Sequence, residues 1–536
     1  MNAFSTEIIV AGGGAGGVSA ALAALRRGRR VVMSERYDWL GGQFTSQAVP
    51  PDEHPWIEEF GLNASYRALR DGVRDVYRRD FPLTDSARRA RELNPGGGWV
   101  SKLCAEPKIF ARVIEGMLAP YVSAGRLVIL RGFEPTAVDV DADRIHAVTF
   151  TNPVDGRVCD VTGHYVLDAT EAGDLLPLAN AEYVTGAESR DETGEPSAPG
   201  VANPQNMQGI SWCFALDHVD GDHTIDRPAG YDRWRSYWPA VWPAPMLSFS
   251  YPDPRTLGVI NGRVDANPPE DPLAIVADQS KVPSGPNLWT FRRIAARKLF
   301  ADGFYDSDIT LVNWPQMDYF ERNIIDVPAS EAELAFAEAR ELSLSLLYWL
   351  QTDAPRGDGG TGMPGLRLRP DVTGTVDGLA QAPYIRESRR IRAVTTVVEQ
   401  DLSFATRAER GAVHYRDGVG VGMYRLDLHP STTGDNYLDV SSTPFEIPLG
   451  ALLPQRMINL LAAGKNIGTT HITNGCYRLH PVEWNIGEAA GALAAHCLDS
   501  GLAPHQVQEA DDRLEAFTSE LQRAGVTLRW PQIGAY

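Results

Sequence analysis

Cysteine is scarce in this chain. Only five of 536 residues are cysteine (Cys104, Cys159, Cys213, Cys476 and Cys497), an odd number without a C-x-x-C pair. This argues against a disulfide scaffold and a vicinal redox dithiol, and fits reduced thiols in a cytoplasm. No metal site is expected from such spacing. Long apolar runs are also missing. Nothing approaches the roughly 18 residues of a membrane-spanning helix, so no membrane is expected as partner. Basic residues are outnumbered: 50 Lys and Arg face 69 Asp and Glu, for a net charge of −19. Such a balance speaks against nucleic acid or an anionic membrane as the main partner, but not against an anionic substrate held in a local patch. A removable leader is not expected, because the first strand begins near Glu7. No internal repeat is apparent.

Glycine, by contrast, is plentiful and placed. Glu7 to Val10 reads as a short apolar strand, followed at once by Gly12, Gly13, Gly14, Ala15, Gly16 and Gly17. A small-residue helix over Val18–Arg27 and a strand over Arg30–Met33 lead to Glu35 and Arg36. Gly12, Gly14 and Gly17 make a G-x-G-x-x-G turn between a strand and a helix, with an acid at the end of the next strand. The first glycine permits the tight turn, the second lets backbone approach a pyrophosphate, and the third brings helix onto sheet. The helix amino end attracts phosphate, and Glu35 can accept from ribose hydroxyls. Dinucleotide binding is the expectation. A second such fingerprint, which a dedicated pyridine-nucleotide domain would carry, is not found.

Four further segments narrow the reading. They are Leu40–Ser46 (LGGQFTS), Val166–Asp174 (VLDATEAGD), the Arg386–Arg390 run (RESRR) and Arg478–Gly491 (R-x-x-P-x-x-x-x-I-G-x-A-A-G). With the first turn, this set resembles a bacterial family of FAD-dependent oxidoreductases with a glutathione-reductase-like FAD-binding fold, from about residue 6 to about residue 498. The resemblance implies an α/β protein: a discontinuous Rossmann-like FAD-binding domain with an inserted α+β substrate domain. Its FAD-binding part would be residues 1–185, with a helical surface insertion at about 55–100, and residues 445–498. Residues 186–444 would form the substrate domain and 499–536 a C-terminal helical cap. Glu106–Ser123 reads as an amphipathic helix, and Ala137–Val140, Ile145–Thr149 and Val158–Leu167 as a meander. Pro252–Pro286 and Asp353–Pro383 are long Pro/Gly-rich stretches of the kind that serve as binding loops or lids.

The resemblance also implies cofactor contacts. Gly42, Gln43, Thr45 and Ser46 would pass under the flavin ring. Ala169 and Thr170 would form one buried turn beside the cofactor, and Gly464, Asn466 and Ile467 another. Pro481, Asn485 and Ile486 would bring backbone along the isoalloxazine, with a helix over Ile486–His496 pointing its positive end at the flavin pyrimidine edge. Non-covalent FAD is the expected cofactor. Acid–base work at neutral pH suits histidine, and His54, His471 and His480 stand in or beside these motifs. Arg386 is open to two readings, an ion-pair network or a bidentate grip on a substrate carboxylate. Trp212, Trp234, Trp238, Trp242, Trp289, Trp314 and Trp349 make the middle region aromatic, as a core or as a substrate wall. The implied function is oxidation of a small organic substrate by hydride transfer to flavin N5, with oxygen or another acceptor restoring the cofactor. A flavin monooxygenase and a non-catalytic FAD carrier are the alternatives; Gly464-Lys465-Asn466 differs from the Gly-Asp-Ala turn of aromatic hydroxylases. A homo-oligomer is compatible with the sequence.

Overall fold

The computed structural model describes residues 2–274 and 282–531. Part of the 252–286 stretch and the last five residues of the expected cap therefore lie outside the described residues. The central element is a five-stranded parallel sheet. Its strands are β1 (Ile8–Ala11), β2 (Val31–Glu35), β3 (Leu127–Arg131), β7 (Tyr165–Asp168) and β14 (Leu460–Ala462), ordered β14-β7-β1-β2-β3. β1, β2 and β7 are buried along their whole length. A parallel sheet covered on both faces requires this, and it explains why these strands read as continuous apolar runs. β14 comes some 290 residues after β7 yet pairs with it, Ala462 opposite Asp168.

Helix α1 (Ala15–Arg26) follows β1, and α2 (Ala64–Asp80) and α3 (Pro107–Ser123) precede β3. The meander forms as β4 (Glu134–Asp141), β5 (Arg144–Thr151) and β6 (Val158–Thr162). Two expectations are corrected here. Val158–Leu167 is not one strand: the chain turns at Gly163, so that β6 stays with the meander while β7 enters the central sheet. Residues before Glu7 are also structured, since Asn2–Ser5 pairs in parallel with Cys159–Thr162. The arginine-rich insertion lies at the surface, with Arg79 and Arg89 exposed, but one face of its helix is buried. α2 buries Tyr66, Leu69, Val73 and Tyr77 together with Arg70 and Arg74, whose guanidiniums are neutralised by Glu53 and Glu58.

The middle region builds a second sheet from β8 (Phe214–His218), β9 (Arg293–Ala295), β10 (Ile309–Val312) and β11 (Leu366–Leu368), in the order β9-β10-β8-β11 and antiparallel throughout. α4 (Ala329–Thr352) carries Ala335, Ala339, Leu342, Leu346 and Leu350 at helical spacing, all buried. Apolar side chains accordingly gather in two clusters. One draws mainly on residues before 182 and after 390; the other draws on 207–384, joined by Ala48 and Val49. The tryptophans belong to the second cluster: Trp212, Trp234, Trp242, Trp289, Trp314 and Trp349 are buried core, and Trp238 alone of this group is exposed. The chain returns through β12 (Gly418–Gly422) and β13 (Phe445–Pro448), then β14, α5 (His471–Tyr477) and α6 (His480–Ser500). Two short helices, Pro504–Glu509 and Asp511–Arg523, close the described chain. Among the described residues no helix is long and apolar enough to cross a membrane, and no group of three metal-ligating side chains occurs. All five cysteines are buried and unpaired.

Candidate functional site

Three loops leave the carboxyl ends of adjacent strands at one edge of the sheet: Gly12–Gly17 after β1, Ala169–Glu171 after β7 and Ala463–Ile467 after β14. Each glycine of the first turn has a separate reason. Gly12 adopts φ +95°, and a Cβ there would stand 2.3 Å from the Ala169 carbonyl oxygen. A Cβ on Gly16 would fall 1.9 Å from Ala463 O, and one on Gly17 1.9 Å from Gly12 O. These positions are closed by protein. Gly14 is different: the nearest atom to its Cβ would be the tip of a flexible side chain, Glu171 Oε1, at 3.2 Å. It caps α1, whose first amides have no partner inside the helix. This is the cradle that a pyrophosphate requires, open at one glycine and walled at the others.

Glu35 and Ser34 hold the turn from β2. Gly12 N donates to Ser34 Oγ at 3.1 Å, Gly13 N to Glu35 Oε2 at 3.1 Å and Tyr37 N to Glu35 Oε1 at 2.9 Å. Burial, reinforced by the negative charge of Glu171, pushes the Glu35 carboxyl up to about 7. Arg36 points elsewhere, pairing with Glu134 at 3.1 Å on the surface. The Leu40–Ser46 loop crosses the turn, with Gly41 N donating to Gly13 O at 2.8 Å. Thr45 and Ser46 donate their hydroxyls back into this loop, to Leu40 O and Gly42 O. Ala169 lines the turn through its carbonyl. The Thr170 hydroxyl donates to Asp168 Oδ1 at 2.7 Å, leaving Asp168 Oδ2 buried without a partner and the carboxyl raised by burial to about 7. Asn466 ties the two strand ends together, donating to Asp168 O at 3.0 Å and accepting from Gly464 N at 3.3 Å; Ile467 is fully buried behind it.

One charged group was missed in the sequence. Lys465 is 2% exposed and forms an ion pair with Glu171, beside Glu483. Burial works against its charge, yet the two carboxylates hold its pKa above the ordinary value. The signal was present: Ala462 pairs with Asp168, so residues three further along each strand, Lys465 and Glu171, are carried out side by side. Glu483 lies over Gly464, its Oε1 at 3.2 Å from where a Cβ would stand. It accepts a hydrogen bond from Gln43 Nε2, which also donates to Arg478 O at 2.8 Å. Burial raises Glu483 to about 7, against the pull of Lys465.

The late helix begins earlier than expected. α6 starts at His480 with Pro481 in its first turn, so Pro481 to Asn485 lie inside the helix rather than before it. Proline ends helices from within but suits their first position, where no amide bond is lost. The positive end therefore falls at His480–Glu483. Asn485 donates to Val421 O at 2.8 Å and leaves its Oδ1 unpaired. Gly487 and Gly491 pack onto α1, where a Cβ would meet Gly16 O and Ala20 O at 2.0 Å each.

The three histidines occupy three different environments. His480 Nδ1 accepts from Asp52 N at 3.1 Å and Nε2 faces Val49 O at 3.2 Å, which fixes a neutral imidazole; burial lowers its pKa to about 4. His471 opposes Glu387 at 2.8 Å, and that carboxylate raises its pKa despite burial. His54 packs against Trp530 with both ring nitrogens buried and unpaired, and burial lowers it to about 4. The Arg386–Arg390 run is an ion-pair network: Arg386 meets Asp318 at 3.1 Å, Arg389 meets Asp326 at 2.8 Å, and Arg390 meets Glu188 at 2.9 Å.

The chain matches the family described as FAD dependent oxidoreductase over residues 7–524. No curated protein matches it. Among solved structures it is similar to a geranylgeranyl bacteriochlorophyll reductase-like protein of Thermoplasma acidophilum, at 9% identity and TM-score 0.31, over 98% of this chain and 85% of that one. The flavin-dependent monooxygenase PieE aligns at 11% identity and TM-score 0.32, over 97% and 63%. L-proline dehydrogenase from P. horikoshii aligns at 12% identity and TM-score 0.17, over 35% of this chain and 24% of that one. The chain thus spans about a quarter of that dehydrogenase and less than two thirds of PieE. At such identities and scores, assignment rests on the family match, which takes in nearly the whole chain: the protein is an enzyme of the FAD dependent oxidoreductase family, with FAD as its cofactor.

Proposed function

We propose that this enzyme oxidises a small organic substrate by hydride transfer to FAD, with oxygen or another acceptor closing the cycle. In this reading residues 1–185 and 445–498 bind FAD, residues 186–444 supply the substrate side, and 499–536 form the cap. Gly14 and the amino end of α1 receive the pyrophosphate, and Glu35 the ribose. Gln43, Asn466 and the first turn of α6 border the flavin. FAD, when bound, supplies a hydride acceptor at flavin N5. The amino end of the 21-residue α6 favours negative charge close by.

The observation that carries this reading is Glu483. Losing a hydride from an alcohol or amine also requires loss of a proton, and a base works best with a pKa near the working pH. Glu483 is buried, raised to about 7, and linked through Gln43 to the loop expected under the flavin. It replaces the histidines as the proposed base. His480 has both nitrogens engaged, His471 is bound to Glu387, and His54 lies against the C-terminal segment. An anaerobic screen that follows visible flavin absorbance tests the proposal. Bleaching by an organic substrate alone is expected. Bleaching only by NADPH would point to a monooxygenase, and a flavin that nothing reduces to a carrier.

A further inference from the structure

Two arginines contact one buried phenol, and the charge of a third acts on it. Arg478 Nη1 donates to the Tyr384 hydroxyl at 3.1 Å. The Arg386 guanidinium lies 4.9 Å from the centre of the Tyr384 ring. The positive charge of Arg292 reaches the same phenol. Tyr384 in turn donates to Gln43 Oε1 at 3.4 Å, and Gln43 binds Glu483. The cluster is thereby attached to the loop and helix end assigned above to the flavin. All four residues are buried.

The terminal nitrogens of these arginines already have carboxylates. Asp52 takes Arg292 at 3.0 Å, Asp318 takes Arg386 at 3.1 Å and Asp427 takes Arg478 at 3.3 Å. His429 bridges two of these acids, at 2.6 Å from Asp318 and 3.5 Å from Asp427. The three carboxylates balance the three cations, so the cluster is not a general trap for anions. What is left over is directional. The Nε–H of Arg292, of Arg386 and of Arg478 is buried in each case without a partner among the described residues. A guanidinium nitrogen can only donate, and an unpaired buried donor is costly. Three such donors in one cluster are left for acceptor atoms that the described residues do not supply. Beside guanidiniums a charged acceptor makes bonds about twice as strong as a neutral one.

We infer that this cluster anchors the substrate and that the substrate carries a carboxylate, whose oxygens accept from the free Nε–H groups of Arg292, Arg386 and Arg478. The inference rests on the oxidoreductase reading of the same site and adds a substrate class to it. The test uses the FAD-loaded protein titrated with benzoate and with its neutral isostere benzamide, read by the visible flavin band and by calorimetry. Benzoate should bind saturably and at least tenfold more tightly than benzamide. Arg386→Lys and Arg478→Lys keep the charge but remove the Nε–H, and should weaken benzoate tenfold or more at unchanged FAD content. Equal affinity for the two probes, binding of neither, or folded lysine variants of wild-type affinity would each overturn the inference. The comparison of probes on the wild-type chain stands even if the variants fail to fold. A chain that takes up no FAD would instead overturn the functional reading, and calorimetry would still report whether benzoate is preferred.

Discussion

The two hydrophobic clusters solve the same packing problem in opposite ways. Where α6 crosses α1, backbone meets backbone: Gly487 faces Gly16, and Gly491 faces Ala20. Small residues are required there at fixed positions, because any side chain would collide with a carbonyl. The middle region is filled instead by Trp234, Trp289, Trp314 and Trp349, each no more than 2% exposed. Large rings fill space without demanding a particular spacing along the chain. One cluster is thus built around a close approach of backbone to backbone, and the other around volume.

The sharpest way to break this comparison is within the glycine turn itself. Gly17→Val would drive a side chain into Gly12 O, at 1.9 Å from its Cβ, and should leave no folded protein. Gly14→Val meets only the movable end of Glu171 and should fold, yet purify without yellow colour. Circular dichroism and flavin absorbance on both variants check this. A folded Gly17→Val, or Gly14→Val with wild-type FAD content, would remove the distinction between the two glycines.

This contrast also explains what the sequence revealed. The turn and its helix were legible, because each needs a residue type at a fixed place. The start of α6 was not. The Ile486-Gly487 motif marked the helix, and only three-dimensional context shows that it begins at His480, with Pro481 in its first turn. The burial of Arg70 and Arg74 was hidden as well, since their partners Glu53 and Glu58 lie on a preceding loop with no periodic relation to them. The Tyr384 cluster joins residues 52, 292, 318, 384, 386, 427 and 478. No local pattern links positions so far apart; folding alone brings them together.

The aromatic cluster should respond differently. Trp289→Ala removes a fully buried ring and should cost about 3–5 kcal/mol of stability, measured by urea unfolding. FAD content per folded molecule should stay the same. A loss of flavin at unchanged stability would make Trp289 part of a binding wall rather than of a core.

Chemistry should be separable from both. Glu483→Gln keeps the shape and the link to Gln43 but cannot take a proton. FAD should remain bound, while anaerobic reduction by substrate slows by about 10²-fold, the low end for a lost general base. His54→Ala, His471→Ala and His480→Ala should reduce at rates closer to wild type once FAD content is matched. If one of the histidine variants shows the larger defect, the base is that histidine and Glu483 is a structural carboxyl.

The smallest effect concerns Glu35, which stands at the end of β2, holds the turn and is proposed to bind the ribose. At pH 8, where its carboxylate is ionised, Glu35→Ala should weaken FAD by about 1.5–3 kcal/mol, the range for a hydrogen bond to a charged acceptor. Titration of apo-protein with FAD measures it, and an unchanged dissociation constant would leave Glu35 with the Gly13 and Tyr37 amides alone. The sign of its pH dependence follows from its environment. Its carboxyl is raised from 4.5 to about 7, so the folded chain holds a proton there that the unfolded chain gives up. Stability from this group is greatest at low pH and falls as pH rises from about 4.5 through about 7. Asp168 and Glu483, both also raised to about 7, act in the same direction. The melting temperature of the wild type should therefore decline between pH 5 and pH 8, and Glu35→Gln, which has no proton to lose, should decline less. Equal slopes in the two proteins would mean that Glu35 is ionised throughout, with its charge met by donors of the glycine turn.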